Sequence, residues 1–246
     1  MIIETYGTEE RTRYAAKRAR GLGLSHLVIL PIPSTKDGRL VCGTDIPLAE
    51  TLSCLETGSI VVEYGAPASY KSLAEAAGAR VLDLSKDEQF LLENAELTAI
   101  GTLSHILKNA TRIPSEMKIG IIGYGRIGAA LLRIFLFLGA KTRVYTSKLS
   151  TAISLAEDGI DSFCTDGAES FCDSFSDIDI LINTAPKDMR HLFVGGTVPS
   201  GLKVIELASG NNFEGISGVE KLPSLPEKAF PESAGETVFR ALERFL

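Results

Sequence analysis

Tryptophan is absent from the 246 residues, and there are only three histidines and four cysteines. Without tryptophan, little protein fluorescence competes with that of a bound chromophore. Cys42, Cys54, Cys164 and Cys172 show neither C-x-x-C spacing nor a histidine in ligand register, so neither a zinc site nor a disulfide framework is expected from them. They read as reduced, small apolar side chains, and no metal is assigned. No apolar run approaches the roughly 18 residues that a membrane helix needs. The opening, MIIETYGTEERTR, has neither the basic start nor the apolar core of a signal peptide, and the expectation is a cytoplasmic protein with no membrane partner. Cations are in deficit too. Lys and Arg number 25 against 31 Asp and Glu, and the net charge of −6 argues against a nucleic-acid surface. Any anionic ligand must be held by local groups.

What the chain does have is apolar mass and glycine. Hydrophobic residues make up 45% of it, enough at this length for two modest cores. The pattern centres on residues 117–140, MKIGIIGYGRIGAALLRIFLFLGA. An apolar run with Ile119, Ile121 and Ile122 reads as a buried strand. Ile127, Ala130, Leu131, Ile134 and Leu138 then recur at helical spacing as far as Gly139, a helix stop. Between strand and helix lies G-x-G-x-x-G. Gly123 permits the tight turn, Gly125 lets backbone approach a pyrophosphate, and Gly128 lets helix and strand pack closely. The pyrophosphate would rest on free N–H groups at the helix start, beside Arg126 and Ile127, where the helix dipole favours an anion. A second strand follows at 142–146, and the whole pattern predicts a Rossmann dinucleotide site.

The residue that reads the adenosine ribose should stand at the end of that second strand. Thr146, Ser147 and Lys148 occupy the place, and no carboxylate follows until Glu157 and Asp158. Hydroxyls and an ammonium suit a 2′-phosphate, so NADP is favoured, with NAD as the alternative. Two further strands, at 179–184 and 203–207, end in Asn183, Thr184, Ala185 and Pro186 and in Ala208 and Ser209. Those loops are the expected walls of a nicotinamide pocket.

Upstream, helical and strand-like segments alternate: a charged helix at 8–20, strands at 26–31, 59–63 and 80–84, and helices at 47–55 and 69–77. Such alternation argues for a second parallel sheet. No strand is evident ahead of the charged helix. Ser34, Thr35 and Lys36 lie just past the 26–31 strand, where open α/β sheets bind ligands. Two hydroxyls and an ammonium suit a carboxylate, and an ordinary polar loop fits them equally well. A long helical run after Asp87 carries Asn94, Thr98, Gly101 and His105. His105 is the candidate proton acceptor, set against a half-buried structural histidine. Residues 111–115 read as a linker. Two domains result: 1–110 for substrate and catalysis, and 111–246 for NAD(P), the latter closed by a C-terminal crossing helix in which Ser233 and Glu236 form a capping-box pattern.

Six stretches carry a resemblance to a known family. ILPIPSTKDG at 29–38, NAELTAIGT at 94–102, GYGRIG at 123–128, DIDILINTAP at 177–186, ELAS at 206–209 and LPEKAFPESAG at 225–235 resemble, in order, the A-subunit family of bacterial dipicolinate synthase. The resemblance implies an α/β fold of two Rossmann-like domains with parallel sheets, in the formate and glycerate dehydrogenase-like architecture. It implies NADP-linked oxidation of a dihydrodipicolinate-like cyclic dicarboxylate during spore formation. Asn94, Thr98 and His105 become catalytic candidates, and Ser34, Thr35 and Lys36 substrate binders. The expected partners are the small dicarboxylate, further copies of the chain, and a flavoprotein-like B subunit. Departures are also visible. Leu97 and Ile100 interrupt an N-x-x-P-T-A-E-G type motif and remove its glutamate, while Glu227 and the Gly210-Asn211-Asn212 segment replace glycine-rich patterns. Two further readings therefore stand: a catalytically silent NAD(P)-binding subunit or redox sensor, and a reductase of the shikimate or 2-hydroxyacid dehydrogenase type.

Overall fold

In chain order the first half runs β1 (Ile2–Thr5), α1 (Glu10–Ala19), β2 (His26–Ile29), β3 (Ile60–Glu63), α2 (Ala68–Ala76), β4 (Arg80–Asp83) and α3 (Glu88–Lys108). The second half runs β5 (Lys118–Ile122), α4 (Arg126–Phe137), β6 (Lys141–Thr146), α5 (Leu149–Glu157), β7 (Asp161–Cys164), β8 (Ile180–Asn183), β9 (Lys203–Glu206) and β10 (Val219–Lys221), then α6 (Leu225–Ala229) and α7 (Pro231–Phe245). The computed structural model describes residues 2–166, 172–193 and 195–246. The side chain of Cys172, and with it the reading of a reduced thiol there, lies outside the described residues.

All ten strands named above pair in parallel, as the alternation of elements predicts. They form one sheet ordered β1-β2-β3-β4 and another ordered β10-β9-β8-β5-β6-β7. Contacts divide the chain into two units, Met1–Leu97 with Pro226–Leu246, and Thr98–Leu225. The divide between the compact units therefore falls within α3 rather than at residue 110, and α7 groups with the first sheet rather than with the second.

In the first unit, alternate residues of the central strands fill two cores, as a period of two requires. Leu27, Ile29, Ile60 and Val62 pack with Ala15 and Ala19 of α1, Phe90 of α3, and Val238 and Leu242 of α7. Val28, Leu30 and Val61 pack on the other face with Val41, Leu48, Tyr70 and Ala74. The strand that the sequence did not show is present. β1 pairs with β2 from Ile2 opposite His26 to Thr5 opposite Ile29. It is short, covered on one side only, and both its end residues are exposed, so no apolar run announces it.

The capping-box reading also needs correction. α7 starts at Pro231 with Phe230 as its cap residue and no capping side chain, which puts Ser233 and Glu236 inside the helix. Proline suits that first turn, where an N–H would lack a partner anyway. Glu236 instead pairs with Arg18 of α1 at 2.9 Å. Gly235 marks the closest approach of the two helices: a Cβ there would lie 2.5 Å from Tyr14 Cβ and 2.8 Å from the Arg11 carbonyl. Gly235→Val is accordingly expected to destabilise by about 1–3 kcal/mol through overpacking. Thermal denaturation followed by circular dichroism reads this, and an unchanged midpoint would show that the two helices separate at no cost.

In the second unit, Ile119, Ile121, Ile182 and Ile205 pack against Ala130, Leu131 and Phe135 of α4. Ile122, Tyr145, Leu181 and Val204 face the other way, toward Phe175 and Phe213. β7 and β10 escaped the sequence reading because DSFC and VEK are short, mixed edge segments without an apolar run. Among the described residues no helix is long and apolar enough to cross a membrane.

Candidate dinucleotide and substrate site

The end of β5 is shaped by glycine for three different reasons. Gly123 has φ +93°, where a side chain is strained, and its N–H donates to the Tyr145 carbonyl at 2.8 Å. Thr184 Oγ1 donates to the carbonyls of Ile122 at 2.9 Å and Gly123 at 3.2 Å, so the end of β8 is stapled to the turn. At Gly128 the constraint is contact, because a Cβ would sit 2.1 Å from the Gly123 carbonyl oxygen. Gly125 meets neither constraint. Its φ of −91° and ψ of −164° are open to any residue, and among the described residues a Cβ there would find no atom within 4 Å.

Among the described residues nothing requires glycine at 125, whereas a pyrophosphate approaching the backbone would. Gly125 is also the cap residue of α4 and supplies no capping side chain, and a helix start of this kind suits an anion. Arg126, the first helical residue, is exposed, and Ile127 is half-buried against the core. The chain's own residues thus fit the diphosphate of a dinucleotide.

The three residues at the end of β6 separate in the structure. Thr146 is buried, its Oγ1 accepts a hydrogen bond from the Lys148 N–H at 3.3 Å, and its carbonyl accepts one from the Thr165 N–H at 2.8 Å. Its role is to shape the turn. Ser147 and Lys148 are exposed, with Lys148 at the cap position of α5.

At the ends of β8 and β9 lies a polar network that sequence reasoning missed. Asn183 is fully buried, and its Nδ2 donates to Glu206 Oε1 at 3.0 Å and to Oε2 at 3.1 Å, and to the Ala185 carbonyl at 3.0 Å. Its Oδ1 accepts the Ala185 N–H at 3.1 Å. Glu206 also accepts the Ala208 N–H at 2.7 Å and Asn212 Nδ2 at 3.2 Å. Burial pushes the Glu206 carboxyl above its ordinary value, against the opposing effect of the bonds from Asn183, Ala208 and Asn212. The Asn183 amide is therefore engaged inward, fixing the loops that carry Thr184, Ala185 and Pro186 on one side and Ala208 and Ser209 on the other. A glutamate closing the apolar strand KVIE was the available signal for Glu206.

In the first unit, two of the three proposed carboxylate binders already have partners. Ser34 is fully buried and clips two loops together: its N–H donates to the Tyr64 carbonyl at 2.9 Å and its Oγ accepts the Tyr64 N–H at 2.8 Å. Thr35 Oγ1 donates to Asp37 Oδ1 at 3.1 Å and accepts the Gly38 N–H at 2.9 Å. Lys36 is exposed. On α3, Asn94 is half-buried and belongs to the first unit, while Thr98 and His105 belong to the second. Thr98 is buried and its carbonyl accepts Thr102 Oγ1 at 2.8 Å. His105 Nε2 lies 2.8 Å from Glu220 Oε1 at an angle that makes no hydrogen bond, and Glu220 also pairs with Lys203 at 3.1 Å. Lys203 is level with Ile180 and so with Ile119, near the start of the sheet, whereas the glycine turn follows its end.

At the end of β3, Glu63 is fully buried, its Oε2 accepts the Ala66 N–H at 2.6 Å, and its Oε1 lies 3.5 Å from Lys71 Nζ. Burial raises its carboxyl above the ordinary range, with the nearby Asp83 adding to the rise. A raised acid contributes stability that is full below about pH 4.3 and lost as pH rises through the folded value. Glu63→Gln, which keeps an acceptor for Ala66, is expected to flatten that decline. Urea midpoints between pH 4 and 8 read it, and parallel curves for the two proteins would exclude Glu63 as the source.

No protein-family model matches the sequence, and no curated protein matches it at the sequence level. Solved structures do match the fold. The A subunit of dipicolinate synthase from Bacillus halodurans superposes with a TM-score of 0.75 at 20% identity, covering 99% of this chain and 96% of that one. Its counterpart from Bacillus subtilis, again the A polypeptide of dipicolinate synthase, gives 0.72 at 19% identity, covering 100% and 95%. Transhydrogenase from Sinorhizobium meliloti gives 0.60 at 13%, covering 100% and 92%. The architecture is thus a Rossmann-type, dehydrogenase-like α/β fold.

Proposed function

We propose that the chain is an NADP-dependent oxidoreductase that oxidises a dihydrodipicolinate-like cyclic dicarboxylate. The observation that carries the cofactor assignment is Gly125, a glycine that nothing among the described residues requires, at the start of α4 where it supplies no capping side chain. The substrate assignment draws on the motif resemblance and on the likeness of the fold to the two dipicolinate synthase polypeptides. When bound, the nicotinamide supplies the chemistry by accepting a hydride, and the protein supplies binding and orientation. The α4 N–H groups hold the pyrophosphate, Ser147 and Lys148 the 2′-phosphate, and the loops at 184–186 and 208–209 wall the nicotinamide. Lys36 takes a substrate carboxylate on a loop that Ser34 and Thr35 shape. His105, set beside Glu220, serves the fold better than it serves proton transfer. The proposed setting is the cytoplasm of a sporulating cell, where the partners are further copies of the chain and a flavoprotein-like B subunit. NADPH formation from NADP⁺ and freshly made dihydrodipicolinate is the expected result. Absence of turnover, with and without a B subunit, overturns the substrate assignment.

Cofactor choice has its own test. Charge-assisted hydrogen bonds to a phosphate contribute about 1.5–3 kcal/mol, so Lys148→Ala should weaken NADPH by roughly 10- to 100-fold and NADH little. Nicotinamide fluorescence measures both affinities against a tryptophan-free background. Equal weakening, or equal wild-type affinities, would assign the segment to something other than a 2′-phosphate.

One observation favours a second reading. Ile100 stands on α3 where the resembled family carries a glutamate, and it is 43% exposed. A silent NADP(H)-binding subunit would bind the cofactor tightly without turnover. A panel of keto- and dehydro-acids with NADPH separates both readings from a shikimate-type or 2-hydroxyacid reductase.

A further inference from the structure

Three potential ligands from distant parts of the sequence meet on the first unit's sheet. Glu4 lies on β1, His26 opens β2, and Cys54 follows the short 3-10 turn Leu48–Leu52. One ligand atom from each falls within 4.8 Å of the others. His26 Nε2 and Glu4 Oε1 are 3.5 Å apart. Two donors about 2.0–2.2 Å from a tetrahedral zinc ion stand roughly 3.4 Å apart, so that pair already has the edge length of a zinc site.

The second observation is an orphaned nitrogen. The His26 side chain is only 4% exposed, and its Nδ1 lies 2.9 Å from Ser59 Oγ. Nε2 is buried and has no hydrogen-bond partner, although it faces Glu4 Oε1. Buried polar atoms nearly always find partners, and a bare imidazole nitrogen aimed at a carboxylate and a thiol is what a metal would satisfy. With Nδ1 as the donor to Ser59, the lone pair sits on Nε2, the arrangement by which ligating histidines are oriented. Tyr6 plays the matching part for the carboxylate. Its hydroxyl donates to Glu4 Oε2 at 2.9 Å and leaves Oε1 toward His26.

We propose that Glu4, His26 and Cys54 bind a zinc ion that ties the edge strand β1 to β2 and to the loop carrying Cys54. One nitrogen, one oxygen and one sulfur donor select a borderline-soft cation, whereas calcium and magnesium take oxygen alone. Glu4 and Cys54 are half-buried, which leaves an entry path and a fourth position for water. A metal binds the thiolate rather than the thiol, so loading releases a proton. The spacing 4, 26, 54 matches no ligand motif, and for that reason the sequence assigned no metal.

The test uses the full chain after chelator treatment. Cobalt(II) titration is expected to saturate at one equivalent with a thiolate-to-cobalt absorption band, zinc to displace it, and zinc to raise the melting temperature. Cys54→Ser and Glu4→Gln should each lower zinc affinity at least tenfold and remove or shift the band, with the metal-free circular dichroism unchanged. Cys42→Ser should leave binding intact. No saturable one-equivalent binding, or binding indifferent to Cys54→Ser, overturns the proposal.

Discussion

Gly125→Val is expected to abolish binding of both NADPH and NADH while leaving the melting temperature at its wild-type value. The two halves of that result come from one geometry. At φ −91° and ψ −164° the backbone is extended and valine adopts it freely, and among the described residues no atom lies within 4 Å of the new Cβ. The fold therefore does not register the change. A pyrophosphate resting on the N–H groups of α4 would, because the branched side chain occupies the space through which it approaches. Gly128→Ala behaves differently. Its Cβ would lie 2.1 Å from the Gly123 carbonyl oxygen, a contact with backbone that no rotamer relieves. That variant is expected to lose stability and cofactor together. Fluorescence titration beside thermal melting separates the two, and retention of NADPH affinity in Gly125→Val would remove the pyrophosphate from this turn.

What was legible in the sequence was whatever repeats locally. The Ile119, Ile121, Ile122 run and the helical spacing that follows place β5, the glycine turn and α4, because a buried parallel strand and an apolar-faced helix each carry a strong period. Edge strands carry none. β1, β7 and β10 are short and half-exposed, and each is held by the ladder of its neighbour rather than by its own composition. The site shows the same division. Gly123, Gly125 and Gly128 were readable because backbone geometry alone demands them or leaves them free for a ligand. Ser34, Thr35, Thr146 and Asn183 carry polar groups at the right strand ends, yet their hydrogen bonds run inward. A sequence shows that a hydroxyl is present but not which way it donates. Glu206 with Asn183 and the Glu4, His26, Cys54 cluster depend on contacts between segments more than 20 residues apart, and Asn212 joins Glu206 across a loop, so no periodic pattern encodes them.

Glu206→Ala is expected to cost about 3 kcal/mol or more in stability and to weaken NADPH binding at least tenfold. Removing this carboxylate strips an acceptor from Asn183 Nδ2, from Asn212 Nδ2 and from the Ala208 N–H at once. A buried donor left without an acceptor costs about 1–3 kcal/mol, and three such groups sit within one network. Asn183 keeps its bond to the Ala185 carbonyl and Asn212 its bond to the Ser209 carbonyl, but the side-chain tie between the two loops is gone, leaving backbone bonds such as that from the Met189 N–H to the Asn212 carbonyl at 2.8 Å. Both loops are proposed walls of the nicotinamide pocket, so the loss should reach the cofactor without any direct contact. Glu206→Gln sharpens the assignment of a positioning role. It keeps one carbonyl acceptor but turns an NH₂ toward donors, so its loss of stability should fall between wild type and alanine, and its NADPH affinity should follow its stability. Chemical denaturation and nicotinamide fluorescence measured on the same three proteins decide the matter. Alanine as stable as wild type would mean that the network contributes nothing, and unchanged NADPH affinity despite lost stability would mean that the two loops are not walls of the pocket.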